Sequence, residues 1–119
     1  MKPNPPAYAV VLETRTEYQV DVHPTEEEAL LRARHLVDEI RLRIAWALHV
    51  SLDEVTEAKE YPEEEGEVLE VYDYHPGFAK ARYSIRRTLA SWFLHGQTPQ
   101  DPEGEWARVV VYEVEHAPT

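Results

Sequence analysis

The chain has 119 residues, 43% apolar and 29% charged, with a formal net charge of −11 and no cysteine. This size fits a single domain, 1–119, that can bury a core unaided, and the lack of thiols excludes disulfides, thiolate catalysis and cysteine-held zinc. The acidic balance opposes direct binding to nucleic-acid backbones, which takes clustered cations, and favours a partner with a basic surface.

Residues 1–6, Met1-Lys2-Pro3-Asn4-Pro5-Pro6, read as an extended lead-in without the apolar core of a signal peptide. No later apolar run approaches the ~18–20 residues of a membrane span, so a cytoplasmic protein with no membrane contact is expected. Tyr8, Val10 and Leu12 alternate with Ala9 and Val11. After Thr14-Arg15, the run Tyr18, Val20, Val22 alternates with Glu17, Gln19, Asp21. Both are strands by period two, and the short gap predicts a hairpin.

Thr25-Glu26-Glu27-Glu28 is a capping box that opens a helix running to about His49. Its apolar stripe, from Ala29 and Leu30 through Leu36, Ile40 and Ile44 to Leu48, is expected to cover a sheet. A second line at heptad-like spacing includes Leu31, His35 and Leu42, with Trp46 beside it. Leaving such apolar side chains in water forgoes about 1.5–3 kcal/mol each, so these residues are the expected interface of a homodimer.

Ser51-x-x-Glu54 is another capping box and predicts a short helix over 52–60. Glu67 to Tyr74 reads as a third strand, and Pro76-Gly77 opens an expected helix from about Phe78 to His95. Its apolar positions Phe78, Ala81, Ile85, Leu89, Trp92 and Phe93 carry the helical spacing. Residues 97–105 read as a loop, Trp106 to Val114 as a strand, and 115–119 as a loose tail. The expected fold is α+β, ordered β-β-α-(α)-β-α-β. It has one mainly antiparallel sheet of about four strands, with two long helices packed on it.

Three constellations carry candidate chemistry. The first is the repeated Asp-x-His-Pro, Asp21-Val22-His23-Pro24 and Asp73-Tyr74-His75-Pro76, each at a strand-to-helix corner. Residues two apart on a strand share a face, so Asp21, His23, Asp73 and His75 could supply four metal ligands to an enzyme. The same corners also follow from proline geometry alone, and Glu17 and Gln19 place the first pair on a solvent face.

The second constellation is acidic. Asp53, Glu54, Glu57, Glu63, Glu64 and Glu65 belong to a carboxylate-rich segment, a candidate docking surface or simply a solvated one. The third is basic. Arg82, Arg86 and Arg87 follow Tyr74 and His75 and could bind a nucleotide or small anion, or pair with the chain's own carboxylates. No Gly-rich phosphate loop or nucleophile elbow occurs, and no resident cofactor is expected.

Tyr8 to Leu36, a hairpin followed by Thr25-Glu26-Glu27-Glu28-Ala29, resembles the start of HicB-type antitoxins. Ile44 to Val55 resembles the closing helices of Xre-type helix-turn-helix domains, with His49 where that family has Gly and no upstream recognition helix. Neither resemblance carries a function or a site to this chain. The leading expectation is a small acidic protein of phage or plasmid defence or counter-defence. It would bind and modulate or inhibit a macromolecular partner rather than catalyse a reaction. Arg makes up nine of the twelve basic residues, a bias that fits a thermostable protein.

Overall fold

The computed structural model describes residues 6–59, 66–72 and 80–117. In chain order the elements are β1 (Ala7–Thr14), β2 (Tyr18–His23), α1 (Glu26–Leu48), a 3-10 turn (Leu52–Glu54), β3 (Thr56–Ala58), β4 (Val68–Tyr72), β5 (Lys80–Thr98) and β6 (Asp101–His116). All strands join one antiparallel sheet in the order β2-β1-β6-β5, with β3 and β4 on the far side of β5. β3 pairs with Phe93–His95 of β5, and β4 pairs with 80–84. The α+β class holds, but among the described residues there are six strands and one long helix, not four strands and two helices.

The first half follows its local signals. Thr25 caps α1 by accepting from the Glu28 amide at 3.2 Å, and Glu26, Glu27 and Glu28 sit at the positive end of the helix dipole. At the other end His49 takes a left-handed conformation, φ 55°. The His49 amide donates to Trp46 O at 3.3 Å and the Val50 amide to Ala45 O at 3.0 Å, a Schellman-type closure. The capping box at Ser51 also forms, with Glu54 accepting from the Ser51 amide at 2.8 Å. It opens only the 3-10 turn and not a helix over 52–60. Val55 is buried and extended, and the β-branched Thr56 begins a strand.

Where the helix over 78–95 was expected, the described residues from Lys80 onward form the 19-residue strand β5, and Phe78 lies outside the described residues. Two register shifts, between Ile85 and Arg87 and between Thr88 and Ala90, each insert a residue. A bulge moves later side chains to the opposite face, so across the two bulges the same-face gap widens from two residues to three. The helix-like spacing of Ile85, Leu89 and Trp92 therefore joins residues from both faces: Ile85 packs opposite α1, Leu89 and Trp92 on the α1 side. The expected loop over 97–105 is largely strand as well: β5 turns into β6 through Pro99-Gln100. The third shift, between Gly96 and Thr98, seats Gly104 at φ +73°, where an added Cβ would lie 2.1 Å from Gly96 O.

The two faces of the sheet carry separate cores. Val10, Leu12, Leu94, Ala107, Val109 and Val111 pack under the buried face of α1, which includes Ala33, Val37, Ile40 and Ile44. On the opposite face Ala9, Val11, Leu69, Ile85, Val110, Tyr112 and Val114 form a second cluster, joined by Val20, Val22 and Tyr83. β1 and β6 feed both, with alternate residues going to each side.

Candidate binding surfaces

The two Asp-x-His-Pro copies cannot be compared in space, because Asp73 and His75 lie outside the described residues. Of the first copy, Asp21 opposes Val10 and His23 opposes Tyr8. Val10 belongs to the core under α1 and Tyr8 packs against it, so Asp21 and His23 share the helix side of the sheet and not a free solvent face. Asp21 accepts from Arg32 Nε at 3.3 Å, which ties β2 to α1. His23 Nε2 is buried and has no hydrogen-bond partner. Among the described residues no group of three or more His, Asp and Glu is arranged to hold a metal.

Arg82, Arg86 and Arg87 lie on β5, not on a helix face, and all are exposed. Each faces a carboxylate of a neighbouring strand: Arg82 with Glu70 at 3.9 Å, Arg86 with Glu115 at 3.5 Å and Arg87 with Glu113 at 3.0 Å. Each of these guanidinium groups thus has a carboxylate neighbour, in exposed pairs that hold only weakly. Tyr74 and His75, the other members of that expected pocket, lie outside the described residues.

Of the acidic segment, Glu63, Glu64 and Glu65 are likewise outside the described residues, while Asp53, Glu54 and Glu57 are exposed. Glu57 pairs with Arg41, whose other nitrogen donates to Val55 O at 2.7 Å, locking the turn and β3 against α1. The outer side of α1 is bare of other described elements. Leu31 is 58%, Leu42 57% and Trp46 86% exposed, with His35 exposed between them.

A further feature had no signature in the sequence. A cavity of about 750 Å³ is lined by Glu17–Asp21 in unbroken succession on one side and Val68–Val71 on the other. A hollow over a sheet face would be lined by every second residue. Consecutive residues from two strands mean that two strand edges face each other. The sheet thus curls, around the core opposite α1, until β2 confronts β4 across a trench. The trench continues past Val22, His23, Val71 and Tyr83 at one end and past Glu13, Tyr18, Glu67 and Val68 at the other. On the upper hairpin, Phe93 stacks with Trp106 at 6.1 Å and His95 at 6.4 Å, with the Arg108 guanidinium 6.0 Å from the Phe93 ring. Strand pairing creates this ladder, so a helical reading of 78–95 could not find it.

Among the described residues, no helix is long and apolar enough to cross a membrane. Compared with known proteins, the chain matches no family model, no curated protein and no solved structure.

Proposed function

We propose that the protein acts by binding a macromolecular partner with a basic surface, which it modulates or inhibits, rather than by catalysis. A phage or plasmid defence or counter-defence protein would work in this way. The observation that carries the reading is the surface around the C-terminal end of α1. There Leu52 is exposed, and Asp53, Glu54 and Glu57 stand exposed on the turn and strand that follow. Interfaces set an apolar centre within a polar rim. The net charge of −11 would speed encounter with a cationic surface.

The test replaces Asp53, Glu63, Glu64 and Glu65 together with Lys. A partner is first captured by the wild-type protein and then purified. Its affinity for the variant should fall by about tenfold or more, mostly through a slower on-rate, and added salt should narrow the difference. Equal affinity, with the circular dichroism spectrum unchanged, would remove the acidic segment from the interface. Native mass spectrometry of the purified protein separates this reading from the others: a stoichiometric metal or phosphorylated small molecule would favour a metal-dependent or anion-binding protein.

A further inference from the structure

We propose that the trench between β2 and β4 is a slot for one extended segment of a protein partner. The segment would be five or six residues long, matching β4 and β2, apolar toward the inner core and cationic on the outer side.

The backbone is the first reason. Among the described residues, neither β2 nor β4 pairs with a strand on its trench side. In the β1–β2 ladder Thr14 N donates to Glu17 O, so by alternation the backbone groups of Val20 and Val22 point away from β1. In the β4–β5 ladder Ile85 N donates to Glu67 O, which turns those of Val68 and Tyr72 away from β5. Each edge offers the template that strand addition uses.

Strand parity is the second reason. Four successive antiparallel pairings separate β2 from β4, so the two run in the same direction. Pairing them with each other would place a parallel step in an antiparallel sheet. One further strand running the opposite way satisfies both edges and closes a six-stranded antiparallel barrel, which abolishes edges altogether.

The third reason is chemical. Val20, Val22, Leu69 and Val71 line the inner side of the trench, beside the core opposite α1. On the outer side stand Glu17, Asp21 and Glu70, and Glu13 and Glu67 flank one end. The only guanidinium groups lining it among the described residues are those of Arg32 and Arg108. Glu17, Asp21 and Glu70 have intramolecular partners in Arg43, Arg32 and Arg82, but a carboxylate offers about four acceptor directions and exposed pairs of this kind are weak. An inserted strand with alternating apolar and basic residues would meet valines on one side and carboxylates on the other.

This site goes beyond the surface proposed above. It is built from other elements, and the substitutions that test it leave Trp46 and Asp53 untouched. The probe is a capped hexapeptide alternating Lys and Val, compared with a Glu–Val peptide and with a Lys–Val peptide N-methylated at alternate amides. We expect saturable binding of the Lys–Val peptide, with amide exchange slowed in both 18–23 and 68–72. Glu17→Lys with Glu70→Lys should weaken that peptide by about tenfold and improve the Glu–Val peptide. If charge reversal disturbs folding, Glu17→Gln with Glu70→Gln gives the same comparison with a smaller loss. No saturable binding, protection of one edge only, or equal binding of the N-methylated peptide would overturn the proposal. So would protection of both edges in the protein alone that vanishes on dilution, since a second copy would then fill the slot.

Discussion

At the scale of single residues, the end of α1 is held in a conformation its sequence does not favour. His49 is the only described non-glycine residue at positive φ. For an L-residue this left-handed state costs roughly 1–2 kcal/mol, which glycine avoids while losing more entropy on folding. His49→Gly should therefore stabilise the fold by about 0.5–1 kcal/mol, read as a higher urea midpoint with an unchanged slope. A lower midpoint would mean that the imidazole makes a contact worth more than the strain. The start of the helix was legible because Thr25 and its three glutamates are a complete signal. Its end was marked only by the loss of the apolar stripe, since no glycine stands there.

Elements were legible where one local rule governed them. The hairpin of β1 and β2 keeps strict alternation, and α1 keeps one stripe, buried at the expected Ala29, Leu36, Ile40, Ile44 and Leu48. β5 was not legible because its bulges reset the alternation twice, and sequence spacing cannot distinguish a twice-bulged strand from a helix. Losing that second helix leaves the outer face of α1 uncovered among the described residues, with Leu31, Leu42 and Trp46 outward. We propose that two copies meet there. Light scattering at micromolar concentration should then report a dimer, and Trp46→Glu should yield a folded monomer. A wild-type monomer at high concentration would sink this assembly.

At the scale of the whole molecule, sequence reading found residues but not their meeting places. It singled out Asp21 and His23 for ligand chemistry, and they sit beside α1 at the border of the trench. The trench itself joins stretches near positions 20 and 70, and only the curl of the whole sheet brings them together. The two cores should melt as one unit, because the same two strands divide them. Trp92 reports on the α1 side and Tyr112 on the other, so their near-ultraviolet signals should be lost at one denaturant concentration. Separated transitions would show that the cores are independent.

The position of β6 in the chain has a consequence for how the protein is made. β6 lies between β1 and β5 and supplies alternate valines to both cores, and it is the last strand in the sequence. Its pairing with β1 joins Ala7 to Val114, nearly the full length of the chain. Contacts of such separation form late and slowly. While the chain is being synthesised, the hairpin and α1 emerge with apolar faces that have no sheet centre to pack against. An unfinished chain in that condition is prone to aggregate. A net charge of −11 opposes such association through mutual repulsion between copies, folded or not.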